Sequence, residues 1–283
     1  MSASPDAPAA PSHPVPRLHW WLELVIIGAV YLAYSYVRNK FGAGPESRSI
    51  AYRHARDVIQ VERFFGLWFE PRLQHWYLNL PGHGSIRLWN IYYGTAHFFV
   101  TIGLLVAAFV FAPRSYRFLR TLLAGTTILA LIGFATYTLM PPRLLDSTDA
   151  FGACRGQGPN CHGYGMVDTI EHYGGIWKFS QGKVALLSNQ YAAMPSLHFA
   201  WSTWCAITLV VIIGRGRWRW LAFGYPAATL FGILVTANHF WLDAFFGALI
   251  LGGGWGIAAV GARLTGRWTG RPGPTSAPER PSR

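Results

Sequence analysis

Six apolar runs, at 20–37, 89–111, 121–140, 195–213, 220–236 and 240–259, dominate the chain. Each is close to the roughly 17 to 25 residues that an α-helix needs to cross about 30 Å of hydrocarbon. In lipid, every backbone N–H and C=O must find its partner within the segment, so runs of this length specify helices. The expected fold class is therefore all-α: an integral membrane six-helix bundle. Composition agrees, with 52% hydrophobic, 16% aromatic and only 13% charged residues, unlike an ordinary soluble domain. The first run follows Arg17, as a secretory signal follows its basic region. It is long, carries Trp20, Trp21, Tyr31, Tyr34 and Tyr36, and lacks a clear small-residue cleavage site, so it is read as a retained helix.

Charge fixes the expected orientation. The connection after the second run carries Arg114, Arg117 and Arg120, the one after the fourth carries Arg215, Arg217 and Arg219, and neither holds an acid. Arg263, Arg267 and Arg271 follow the last run. The positive-inside rule makes all three cytoplasmic, giving six crossings of the plasma membrane with both termini inside. The net charge of +12 then reflects topology and anionic lipid headgroups. The basic residues are scattered and form no single stripe, so no nucleic acid partner is expected. Residues 1–18 and 266–283, biased toward Pro, Ala, Ser and Gly, read as disordered cytoplasmic tails flanking a membrane domain at 19–265.

Two long segments fall outside, 38–87 and 141–194. In the first, Ala51, Ala55, Val58, Val61, Phe65 and Trp68 recur at spacings of three and four beside a polar stripe of Arg53, Arg56, Gln60 and Arg63, which predicts an interfacial amphipathic helix packed over the bundle. The second is a glycine-rich extracytoplasmic loop with a short helix expected near 167–172. It holds Cys154 and Cys161, close in sequence on the oxidising side, where a disulfide is expected. A metal site of Cys154, Cys161, His162 and His172 matches no standard zinc spacing. No metal or cofactor is expected.

The same orientation brings chemistry to one membrane face. Pro141-Pro142-Arg143 ends the third run, Pro195-Ser196-Leu197-His198 opens the fourth, and Asn238-His239 joins the fifth to the sixth. His239 and Asp243 are four apart, one helical turn. A carboxylate there can accept the imidazole N–H and leave the other nitrogen free to attack, and an ionisable residue just inside a membrane helix is expected to be functional. A purely structural His–Asp pair is the alternative. Pro195 suits a first helical turn, whose N–H groups favour an anion beside Ser196, while His198 can protonate a leaving oxygen. Arg143 offers a planar fork to phosphate oxygens, or snorkels at a helix end. Lys183 is a second candidate phosphate contact, with a surface role as its alternative.

At these residues the sequence resembles the type 2 phosphatidic acid phosphatase superfamily. Pro195-Ser196-Leu197-His198 and His239-x-x-x-Asp243 look like its second and third signatures. The wording Ala193 to His198, Thr236 to His239 and Pro141-Pro142-Arg143 is similar to the inositol phosphorylceramide synthase-like branch. The likeness extends to Glu62-Arg63-Phe64-Phe65-Gly66-Leu67 and Tyr93-x-x-x-His97-Phe98. It implies a metal-independent enzyme working through a phosphohistidine, with His239 the nucleophile, Asp243 its orienter, His198 the acid, and Arg143 with Ser196 the phosphate cradle. Four positions depart from the superfamily pattern: Thr136 replaces a lysine, Leu197 a glycine, and Gly232-Ile233 a Ser-Arg pair. A less basic pocket follows, so a phosphotransferase taking a lipid phosphate or phosphodiester, with a polyol or sugar acceptor, is favoured over a simple lipid phosphatase. A non-enzymatic lipid transporter is the rival from another class; it would need ionisable residues along a path, and the runs offer little beyond Glu23 and His97.

Overall fold

The structure is a computed structural model that describes residues 18–40, 45–82, 84–157, 161, 163–176 and 189–265. Lys183, His162 and nearly all of both tails lie outside the described residues. Among the described residues the fold is helical, with no strand. We number the helices α1 (Trp20–Lys40), α2 (Pro45–Phe64), α3 (Glu70–Leu78), α4 (Gly84–Phe111), α5 (Pro113–Thr136), α6 (Thr169–Tyr173), α7 (Leu197–Ile213), α8 (Gly224–Val235) and α9 (Trp241–Leu264), with 3-10 turns at Pro142–Leu144 and Arg217–Phe223.

Among the described residues three helices are long and apolar enough to cross a membrane, at Ser85–Phe111, Pro113–Thr136 and Trp241–Leu264. Shorter apolar stretches lie at Trp20–Ala33 and Leu197–Ile213. The fifth apolar run is divided between the 3-10 turn Arg217–Phe223 and the 12-residue α8. The arginine-rich connection expected after α4 is not a loop. Only Ala112 separates α4 from α5, because Pro113 stands at the first helical position and starts α5 at once. Its arginines lie on the opening turns of α5. Arg120 reaches back to α1, where its Nη1 donates to both oxygens of Glu23 at 2.7 and 2.6 Å, and Tyr116 donates to the same carboxylate at 3.1 Å. A carboxylate in an apolar helix is thereby paired.

The third apolar run also stops short of its expected end at 140. Pro141 and Pro142 disfavour helix for what precedes them, and residues 137–140 are not helical, with Leu139 in an isolated β-bridge to Ala192. Leu139 N–H donates to Tyr191 O at 2.7 Å and Met140 N–H to Ala51 O at 3.2 Å. This strip ties the end of α5 to the loop before α7 and to α2.

The amphipathic helix α2 buries Ala51, Ala55, Val58 and Ile59 against Leu139, Met140, Leu144, Tyr191 and Phe240. Its buried face differs from the expected stripe. Val61 and Phe65 are exposed, and Glu62 is completely buried in their place. Residues 51, 55, 58 and 62 keep one line on a 3.6-residue period. Val61 stands at the edge of that line, and Phe65 follows the last helical residue, next to Gly66 at φ +69°.

Glycines set the closest helix contacts. A Cβ on Gly254 of α9 would fall 2.4 Å from Thr126 Oγ1 of α5 and 2.8 Å from Thr126 N. Small residues at such crossings let backbones approach closely. Between α5 and α7, Cys154 and Cys161 are joined in a disulfide with a Cα–Cα distance of 5.6 Å. Cys205 is buried within α7 beside Thr101 Oγ1, 3.4 Å away.

Candidate active site

Two helix starts build the centre of the site. Ser196 is the N-cap of α7, its hydroxyl oxygen accepting from Phe199 N–H at 3.4 Å. Its own N–H donates to Asp243 O at 2.9 Å, which binds the start of α7 to the first turn of α9. The loop before α9 folds back on α8, with Asn238 N–H and His239 N–H both directed at Ile233 O, at 3.0 and 3.3 Å. Ala237 turns that loop at φ +54°, a conformation uncommon for a residue with a Cβ.

Asp243, completely buried, accepts from Phe240 N–H at 3.0 Å and from His239 Nδ1 at 3.2 Å, both through Oδ2. The carboxylate can only accept, so the imidazole proton sits on Nδ1 and the lone pair on Nε2. Nε2 faces His198 Nδ1 at 3.3 Å. His198 is stacked on Tyr93, with ring centroids 4.2 Å apart and planes 19° apart, and His97 lies on it at 4.1 Å. The Nδ1 of His97 donates to Tyr93 O at 3.0 Å. His198 thus stands between two rings of α4 and the Nε2 of His239.

Of the residues singled out in the sequence, His198, His239, Asp243 and Ser196 meet directly. Arg143 is joined to them through the backbone, its N–H donating to Ala237 O at 2.7 Å. Its guanidinium is turned to other partners: Nη1 donates to Asp168 Oδ2 and Nη2 to Gln190 Oε1, each at 2.5 Å. The Ser196 hydroxyl is engaged as a helix cap.

Two groups of residues had no role assigned from sequence. The first is a pair of glutamates at the N-terminus of α9. Trp241 N–H donates to Glu70 Oε1 at 3.0 Å and Leu242 N–H to Glu62 Oε1 at 3.4 Å. The leading N–H groups of a helix lack partners within it, and here outside carboxyls supply them. Glu62 and Glu70 are both completely buried, and the Glu70 carboxyl acts on that of Glu62. Burial, then the charges of Glu70 and Asp243, push the Glu62 carboxyl up to about 10. Burial also raises Glu70, so the pair holds a proton at neutral pH. The sequence signal is an acid standing in the apolar line of α2.

The second group is Asp168 and Gln190. Asp168 is the N-cap of α6, its Oδ1 accepting from Ile170 and Glu171 N–H at 3.1 and 3.2 Å. Thr169 next to it donates to Asn90 Oδ1 of α4 at 2.8 Å and approaches Thr236 O at 3.3 Å. Asp168 before a short helix is a readable cap signal. Gln190 lies in an aperiodic loop and offers none.

No curated protein and no solved structure shows significant similarity to the chain. The family model of the PAP2 superfamily matches residues 56–257, a span that contains Arg143, Ser196, His198, His239 and Asp243, and the chain belongs to that superfamily.

Proposed function

We propose that the protein is an integral membrane phosphotransferase that takes a phosphoryl or phosphodiester group from a lipid onto His239 and passes it to a hydroxyl acceptor. Membership of the PAP2 superfamily supports a lipid phosphatase- or phosphotransferase-type function. The observation that carries the assignment is the His239 ring, held by Asp243 at Nδ1 and facing His198 at Nε2. The arginine-rich connections support a reading with six crossings of the plasma membrane and both termini cytoplasmic, in which this site lies at the extracytoplasmic face, next to the outer leaflet.

In the first step the Nε2 lone pair of His239 attacks phosphorus, and the bond from phosphorus to the lipid or headgroup oxygen breaks. His198, as imidazolium, gives its proton to that oxygen. Asp243 stabilises the charge that develops on the His239 ring. In the second step an acceptor oxygen attacks the phosphohistidine, the P–N bond breaks, and His198 takes the acceptor's proton back. Both histidines return to their starting states. Arg143, the N–H groups opening α7 and Lys183 of the outer loop serve the phosphate oxygens.

A polyol or sugar is the favoured acceptor, in keeping with the inositol phosphorylceramide synthase-like wording of 193–198 and 236–239 and with Thr136 and Gly232-Ile233 where basic residues are expected. The test is a panel of lipid phosphates and phosphodiesters, each with and without polyols. A polyol should divert product from free phosphate to a new phosphodiester, and both products should vanish in His239→Ala. Rapid phosphate release from monoesters, unchanged by every acceptor, would leave a simple lipid phosphatase.

A further inference from the structure

The guanidinium assigned to the phosphate is already partly neutralised. Arg143 and Asp168 are both about 5% exposed, and their ion pair is made between Nη1 and Oδ2. Asp168 is not a mobile counter-ion that substrate can push aside. Its other oxygen caps α6, its backbone carbonyl accepts from His172 N–H at 3.0 Å, and Thr169 ties the segment to Asn90 and to the loop before His239. Gln190 holds Nη2. The Nε of Arg143 is buried and has no hydrogen-bond partner among the described residues, a donor that a phosphate oxygen would satisfy.

This arrangement discriminates between charges. A phosphomonoester carries close to two negative charges at neutral pH and a phosphodiester carries one. A fixed carboxylate beside the guanidinium repels the second charge, in a setting where water screens weakly. We propose that Asp168 is a specificity-determining residue that holds Arg143 as a half-neutralised cation and so selects singly charged phosphodiesters over doubly charged phosphomonoesters. The inference rests on Arg143 serving the phosphate in the proposed reaction, and it names the substrate class of that site.

Asn is the replacement closest in shape: its one oxygen still caps α6, while its NH2 takes the place of Oδ2, so the negative charge and the acceptor facing Arg143 are both removed. The test compares kcat/KM for a lipid phosphomonoester and a lipid phosphodiester in detergent micelles, for wild type, Asp168→Asn and Gln190→Glu. The monoester-to-diester ratio should rise on the order of tenfold in Asp168→Asn and fall by a similar factor in Gln190→Glu, which adds a second carboxylate at Nη2. A general loss of packing lowers both activities together and leaves their ratio in place, so the ratio separates specificity from structure. If Asp168→Asn fails to fold, Gln190→Glu decides alone. Ratios within twofold of wild type in the folded variants would overturn the role of Asp168 while leaving the histidine chemistry intact. Activity that survives His239→Ala would instead overturn the underlying reaction.

Discussion

Gly247 and Ser196 touch so closely that a Cβ built on Gly247 falls 2.5 Å from the Ser196 carbonyl oxygen. This contact joins α9, which carries Asp243 and follows His239, to α7, which carries His198. The offending atom is backbone, so an added methyl group has no flexible neighbour to displace. Gly247→Ala should force the helix starts apart and lengthen the gap between His198 and His239. Overpacking of this kind costs about 1–3 kcal/mol, and misplacement of reacting groups by about 1 Å can cost on the order of a hundredfold in rate. We expect a folded but nearly inactive protein in detergent. Near wild-type turnover would show that the contact does not set the histidine spacing.

The Glu62–Glu70 pair makes stability depend on pH with a defined sign. Glu62 ionises near 4.5 when unperturbed and near 10 in the folded protein. The native state therefore holds a proton that the unfolded chain has released over this interval. Its contribution is fully present below the lower value and is lost as pH rises toward and through the higher one. The melting temperature should fall from about pH 6 to about pH 9. Glu62→Gln, which mimics the protonated acid, should flatten that decline; an equally steep decline in the variant would remove the pair as its source.

Metal dependence separates the proposed reaction from a metal-assisted hydrolysis. Charge neutralisation is assigned to Arg143, His198 and helix-end N–H groups, so activity should withstand exhaustive chelation. Activity lost in chelator and restored by zinc or magnesium would contradict the assignment.

The sequence made the site more legible than the fold around it. His239 and Asp243 are one helical turn apart, so their meeting follows from helical period alone. His198 was placed beside them only through the charge-derived orientation of separate helices. Apolarity marked the three helices that are long and apolar enough to cross a membrane, but it could not show that Pro113 would abolish a loop or that the fifth run would divide near Gly224. Glu62 was hidden by its own pattern, since an acid in an apolar stripe reads as an interruption until the helix end it caps is seen. The Arg143–Asp168 pair joins residues 25 apart through a loop without periodicity, which no local signal encodes.

The central claim is that His239 becomes covalently phosphorylated. Radiolabelled lipid phosphate or phosphodiester, mixed with purified protein and quenched under alkaline conditions within one turnover, should leave label on the peptide containing His239. The adduct should be lost in acid, retained in base, absent from His239→Ala, and discharged by water or a polyol at a rate no slower than turnover. Asp243→Asn should form it slowly, because the attacking nitrogen remains while its orientation and charge support are lost. No labelled peptide at any quench time, in protein that turns over the same substrate, would contradict the account.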